Sequence, residues 1–232
     1  MKTTGNTVFI SGGSAGIGLA IAKKLSSEGN KIIINGRNKE RLQNALKELD
    51  NAVAIQGDLS VEEDRIRIAN ELKEQHTGVN IIINNAGRAI GYLLSHTTNA
   101  HLNAIEEMNT NFFSVIHFTE LLLPHLVQKK EAAVINITSI AVFGSHKFLP
   151  TYGATKAALH SYTVALRQTY EESKNVQIYE VYPPLVNTEF SREIGGENGI
   201  PPEEVADELL IALEEDQFDV PVGDTKKFFS KA

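Results

Sequence analysis

Ser11-Gly-Gly-Ser-Ala-Gly-Ile-Gly18 stands between an apolar run at 8–11 and an amphipathic, helix-forming stretch at 16–27. Glycines in such a turn let the backbone reverse tightly. They also bring the free N–H groups at the start of the helix close to an anionic group such as a pyrophosphate. Gly12, Gly16 and Gly18 carry the turn, and their G-x-x-x-G-x-G spacing departs from the commoner G-x-G-x-x-G fingerprint. A glycine-rich turn can be merely structural, so its weight depends on the rest of the chain. Apolar runs at 31–35, 52–56, 79–84, 134–137, 176–182 and 219–222 alternate with helical patterns at 39–49, 61–75, about 101–129, 152–173 and 202–214. Strand–helix alternation predicts parallel strands with right-handed crossovers and helices on both faces, an α/β fold. The runs are continuously apolar rather than alternating, as expected of strands buried on both sides.

The 232 residues suit one α/β domain or two small ones, and 42% apolar content is ordinary for a folded core. No proline- or glycine-rich linker and no repeat breaks the pattern, so 1–232 is expected to be one dinucleotide-binding domain. A formal charge of −7 argues against nucleic acid or an anionic membrane surface as partner. The chain has no cysteine, which removes disulfides and thiol chemistry, and its seven histidines form no compact metal-ligand cluster in sequence. No metal is expected. The first hydrophobic stretch is too short for a signal peptide, and no segment approaches a membrane span. A cytoplasmic protein is the expectation.

The second strand ends in Asn35-Gly36-Arg37. An NAD-binding fold usually places an acid here to hold the ribose 2′-hydroxyl. Gly36 supplies none, and Arg37 offers a planar cation suited to a 2′-phosphate. NADP(H) is therefore favoured and NAD(H) is the alternative; the bland reading is an Arg37 that faces solvent. Asp58 can accept from an adenine amino group or cap the following helix. Asn85, Ala86 and Gly87 end the fourth strand, where small residues let a ribose lie against the backbone.

Tyr152 and Lys156 stand one helical turn apart and can share a face. A free phenol has a pKa of about 10. A neighbouring ammonium stabilises the phenolate, and the charge of an oxidised nicotinamide adds to this. Tyr152 can then give a proton to a carbonyl or take one from an alcohol. Ser139 can bond the same substrate oxygen, Lys156 can also bridge to a ribose, and Asn111 can hold a water that links Lys156 to solvent. Each residue alone has a bland reading as a helix-start aromatic, surface charge, strand-end hydroxyl or helix polar group. Their joint spacing, together with the glycine turn, favours chemistry.

On these residues the chain resembles the short-chain dehydrogenase/reductase family of the single-domain type. The resemblance spans nearly the whole length: the turn at 12–18, Asn-Asn-Ala-Gly at 84–87, Asn111, Ser139, the Tyr152/Lys156 pair, and 183–188. It implies a Rossmann-type doubly wound, seven-stranded parallel sheet, a nicotinamide cofactor and an Asn111–Ser139–Tyr152–Lys156 tetrad. It also implies cofactor contacts from Ser14, Ile17, Leu59, Pro183, Val186 and Thr188, with Thr188 at the carboxamide. Homodimers or homotetramers through the helices near 101–129 and 152–173 are implied as well. Two positions depart from the family pattern. Ser11 replaces a usual threonine, and Pro184 gives Pro-Pro where Pro-Gly is usual, which removes a backbone donor and fixes φ beside the nicotinamide. Pro-Pro at this place resembles a bacterial subgroup named for lipoteichoic-acid D-alanylation operons.

Three stretches, 88–94, 141–149 and 185–199, are expected to converge on the substrate. Phe143, Phe148, Tyr92 and Leu185 can make an apolar wall or be core aromatics. His146 can meet a polar group or stay on an exposed loop. Arg88 either binds a substrate anion or faces solvent. Gly195, Gly196 and Gly199 suit an ordinary loop or a short lid. The leading function is oxidoreduction of a small carbonyl or secondary alcohol. The alternative is a catalytically silent dinucleotide sensor or scaffold, which has no need of a proton relay.

Overall fold

β1 (Thr7–Ser11), β2 (Lys31–Gly36), β3 (Ala52–Gln56), β4 (Val79–Asn84), β5 (Ala132–Ile137), β6 (Val176–Tyr182) and β7 (Asp219–Pro221) form one parallel sheet in the order β3-β2-β1-β4-β5-β6-β7. The computed structural model describes residues 1–173 and 175–229; of the unit expected over 1–232, positions 174 and 230–232 lie outside the described residues. The strands are linked by α1 (Gly16–Ser27), α2 (Lys39–Leu46), α3 (Glu62–Gln75), α4 (Ala100–Met108), α5 (Ser114–Leu126), α6 (Tyr152–Tyr170) and α7 (Pro202–Glu214). A four-residue α8 (Lys226–Phe229) follows β7.

Alternation along each strand sends neighbouring residues to opposite faces. Val8, Ile10, Ile32 and Ile34 pack with Ile21, Leu25, Leu42, Leu209 and Leu213 of α1, α2 and α7. Phe9, Ile33, Ile82 and Val134 pack instead with Ile68, Phe118, Leu122 and Leu166 of α3, α5 and α6. Both faces are therefore dry, which is why the strands read as unbroken apolar runs. Each such side chain contributes about 1.5–3 kcal/mol on burial. Polar residues within the sheet are paired: Asn84 Nδ2 donates to Asn136 Oδ1 (2.8 Å), whose own amide donates to Thr163 Oγ1 (2.8 Å).

From β1 the chain runs outward to β2 and β3, then returns to place β4 on the other side of β1. This reversal opens a crevice at the carboxyl ends of β1 and β4, the usual ligand position in open α/β sheets. The helix expected over 101–129 is not uniform. α4 and α5 are joined by one π-helical turn, Asn109–Phe113, with Asn111 buried inside it. Such a turn carries no signal in hydrophobic spacing and is frequent at functional sites.

Candidate active site

At the glycine turn, Gly12 and Gly16 have φ of +64° and +53°, where side chains are disfavoured. A Cβ on Gly18 would lie 2.4 Å from the Gly12 carbonyl oxygen, so the turn closes only around glycine. Ser11 stitches this turn to β4. Its Oγ accepts from the N–H groups of Asn85 (2.9 Å) and Ala86 (3.0 Å) and donates to Ile83 O (3.2 Å). Asn85 Nδ2 donates back to Ser11 O (2.9 Å) and Gly12 O (3.2 Å). The N-cap of α1 is Ala15, which offers no side-chain acceptor to the first N–H groups of the helix. Those donors remain for an anion, so the turn fits a pyrophosphate.

At the far end of the crevice, Gly36, Arg37, Asn38 and Arg41 stand beside Asp58. Asn38 caps α2 by accepting from Arg41 N (3.0 Å). Arg37 is largely exposed and reaches Asp58 Oδ2 only at 3.5 Å. Asp58 does not cap α3; its Oδ1 accepts from Ser60 N (2.9 Å) and Ser60 Oγ (2.7 Å), closing a local turn. Arg41 pairs with Glu189 (3.0 Å), across the mouth of the crevice.

Tyr152 opens α6, and Lys156 follows one turn later on the same face; both are buried. Lys156 Nζ donates to Ile137 O (2.8 Å) at the end of β5 and sits 5.7 Å from the Tyr152 ring centroid. The Ser139 hydroxyl bonds the phenol from the next loop. The expected softening of the phenol by its ammonium neighbour is not what the bare site displays. Burial pushes Tyr152 up to about 12, the Ser139 bond pulls it down, and buried Glu107 pushes it further up. Burial likewise pushes Lys156 down to about 8, against the attraction of Glu180. Desolvation outweighs the local charge for both groups.

Asn111 stands behind Gly87. Its Nδ2 donates to Arg88 O (2.8 Å) and Thr155 Oγ1 (2.9 Å), and its Oδ1 accepts from Arg88 N (2.8 Å). Both amide hydrogens are thus committed, leaving one lone pair of Oδ1 for a water. A Cβ on Gly87 would lie 3.5 Å from Asn111 Oδ1 and 3.9 Å from Lys156 Nζ, so these two atoms converge on a single glycine.

The crevice has a volume of about 850 Å³. Gly12, Ser14, Gly16, Ile17, Arg37, Asp58, Leu59, Asn85, Ala86, Gly87, Ser139, Tyr152, Lys156, Pro183, Val186 and Thr188 all line it. Gly18 lies beneath the turn and Asn111 behind Gly87. The expected apolar wall is only partly right. Leu185 lines the crevice, but Phe143 stacks on Phe228 (5.1 Å), Phe148 packs by His146 (5.7 Å), and the Tyr92 hydroxyl pairs with Thr151 (2.7 Å). Leu149, Ile194 and Phe190 take their places; the Phe190 ring is 6.2 Å from that of Tyr152. Arg88 lines the crevice and pairs with Glu106 at 2.7 Å. The 185–199 stretch is more ordered than a plain loop. Thr188 and Ser191 form a capping box over the 3-10 turn Glu189–Ile194, and Ser191 Oγ donates to Val186 O.

The short chain dehydrogenase family pattern matches residues 6–199. The chain is 36% identical over 200 residues to the "Uncharacterized oxidoreductase DltE" of Bacillus subtilis, covering 86% of this chain and 79% of the relative. The chain belongs to the short-chain dehydrogenase family. It is an oxidoreductase. To a "Probable NADP-dependent dehydrogenase" of Haemophilus influenzae this short-chain dehydrogenase is 34% identical over 193 residues, covering 82% of itself and 75% of the relative. Its fold superposes on a Burkholderia cenocepacia short-chain dehydrogenase, solved with NADP, at a TM-score of 0.87 and 24% identity, covering 100% of this chain and 93% of that one. The DltE relative fits the subgroup resemblance carried by Pro183-Pro184. Among the described residues, no helix of the dehydrogenase is long and apolar enough to cross a membrane.

Sequence reasoning missed Glu107, which accepts from Ile90 N (2.8 Å) and Thr151 Oγ1 (2.6 Å) and so ties the 88–94 stretch to the start of α6. Its position in a helix next to Glu106 reads as solvent-facing. It also missed Glu180 and His160, which lie inside a strand and on a helix face.

Proposed function

We propose that the dehydrogenase uses NADP(H) in preference to NAD(H) and interconverts a small carbonyl and a secondary alcohol, with Tyr152 as the proton donor or acceptor. One observation carries this reading: the Tyr152–Ser139 hydroxyl pair, with Lys156 buried beside it, stands in the same crevice as the glycine cradle. The residues present fit a dinucleotide. Gly12, Gly16 and Gly18 leave room at an uncapped helix start, and Gly36, Arg37 and Arg41 put two guanidiniums, and no acid at the strand end, beside the ribose position.

A bound nicotinamide supplies or accepts the hydride. The protein's own groups do the rest. With substrate bound, Ser139 and Tyr152 turn their hydroxyls from each other to the substrate oxygen, which fixes its position and gives it two donors. Tyr152 at about 12 holds its proton in the bare site, a state ready to protonate a carbonyl oxygen. Lys156, anchored by Ile137 O, keeps its ammonium beside the phenol and supports the charge left on Tyr152 when that proton departs. Asn111 clamps the Arg88 backbone and keeps Gly87 open beside Lys156. Leu149, Leu185, Phe190 and Ile194 exclude water around the reacting carbon and favour a small apolar substituent there. Exposed Leu102, Ile105 and Phe113 on α4 and the π turn support the implied homo-oligomer.

The experiment is a panel of carbonyls and alcohols followed by nicotinamide absorbance, with Tyr152→Phe as control. The variant is expected to keep its NADPH affinity and lose about 10²–10⁴-fold in turnover. Undiminished turnover removes Tyr152 from its role.

A further inference from the structure

Below the reaction site lies a charged group that the proposed mechanism does not use. Glu180 is fully buried in β6, on the face of the sheet that carries Ile178 and packs against α6. A carboxylate at such depth is costly unless it has partners. His160 Nδ1 lies 3.1 and 3.0 Å from its two oxygens, and the Thr138 and Tyr182 hydroxyls stand close by. The Tyr182 hydroxyl also donates to Asp219 Oδ1 (2.9 Å), which Arg167 holds at 3.0 Å from the same helix, α6. Phe229 covers Tyr182 at 4.9 Å.

The register brings this carboxylate to Lys156. Tyr152, Lys156 and His160 repeat every four residues along one stripe of α6. Ile137, whose carbonyl anchors Lys156 Nζ, pairs with Val181, and Asn136 pairs with Glu180 itself. His160, one helical turn beyond Lys156 on α6, touches Glu180, so the carboxylate lies within electrostatic reach of the ammonium. The groups facing Lys156 are Tyr152 from α6, the Ile137 carbonyl and Ser139 from the β5 end, Asn111 behind Gly87, and Glu180 from β6. Glu180 is the only anion in that set. Burial also raises its own pKa, opposed chiefly by His160.

We propose that Glu180 is a positioning residue for the dehydrogenase: seated by His160, it is the buried counter-anion that keeps Lys156 in its ammonium form beside Tyr152. The inference rests on the role of Lys156 in the proposed function. An ammonium is needed there to support a departing phenolic proton, yet burial favours the neutral amine. A carboxylate within electrostatic reach opposes that loss without touching substrate. His160, half-exposed at the solvent end of the stripe, holds both carboxylate oxygens so that Glu180 keeps its place.

The test tracks Lys156 by side-chain NMR as a function of pH in the cofactor-free enzyme, so it does not depend on turnover. In Glu180→Gln the Lys156 titration is expected about one unit lower, with Glu180→Asp recovering part of the shift. Turnover is expected to fall most near neutral and higher pH in the Gln variant, with KM little changed. Coupling is reciprocal, so in Lys156→Met the Glu180 carboxyl is expected to titrate higher by a similar amount; this arm serves if Glu180→Gln does not fold. A Lys156 titration unmoved in folded Glu180→Gln overturns the proposal, as does an unmoved Glu180 carboxyl in Lys156→Met. A moved Lys156 with full turnover in Tyr152→Phe would instead sink the proposed function and leave the pairing intact.

Discussion

Replacing Lys156 with methionine separates what the site costs the fold from what it does. Lys156 is 4% exposed, its Nζ donates to the Ile137 carbonyl, and burial lowers it from 10.5 to about 8. That displacement is worth about 3 kcal/mol. The native state binds this proton less tightly than the unfolded chain does. Between pH 8 and 10.5 the unfolded chain therefore carries a proton the native state lacks, and stability rises with pH across that window. Below pH 8 the full cost is present; above 10.5 it is gone. Lys156→Met removes the titration but strands the Ile137 carbonyl, at about 1–3 kcal/mol. At pH 7 the two effects nearly cancel, and the variant is expected to be as stable as the parent or up to about 2 kcal/mol more so. By pH 10.5 only the stranded carbonyl remains, and the variant is expected to be the less stable by about 1–3 kcal/mol. Urea unfolding of both proteins between pH 7 and 10.5 measures this, and the absence of cysteine avoids thiol oxidation at high pH. Groups that do not couple to Lys156 cancel in the difference. Parallel stability curves across that window would refute the buried-ammonium account.

Gly18→Ala is expected to open the turn at 12–18, because the new Cβ would lie 2.4 Å from Gly12 O and 2.5 Å from Asn85 Nδ2. Stability should drop by about 1–3 kcal/mol and dinucleotide affinity tenfold or more by fluorescence titration. Gly5→Ala, at φ +75° with open space around it, is expected to cost about 1–2 kcal/mol and leave affinity unchanged. Arg37→Ala is expected to weaken NADPH about ten- to a hundredfold, the worth of one charged hydrogen bond, and to leave NADH binding unchanged. Equal losses for the two cofactors would remove Arg37 from the 2′-phosphate.

Much of the molecule is local and therefore readable without coordinates. Continuous apolar runs between amphipathic stretches specify β1 to β7 and their helices, because a strand buried on both faces is built mainly from apolar side chains. The turn at 12–18 is readable because only glycine takes those angles and clearances, and Tyr152 with Lys156 because helical periodicity alone puts them on one face. Other features have no local period to reveal them. Phe143 and Phe148 sit in an irregular stretch, where the direction of a side chain is set by what arrives later in the chain, such as Phe228 of α8. Arg88 meets Glu106 of α4 from a stretch with no regular period, so nothing in the local spacing announces the pair. Glu180 reads as one polar residue in a strand until the β5–β6 register sets it beside the anchor of Lys156. The displacement of Tyr152 by burial is hidden for the same reason. A neighbouring charge is visible in a sequence, but desolvation is the sum of everything packed around the group, and only the tertiary structure fixes that sum.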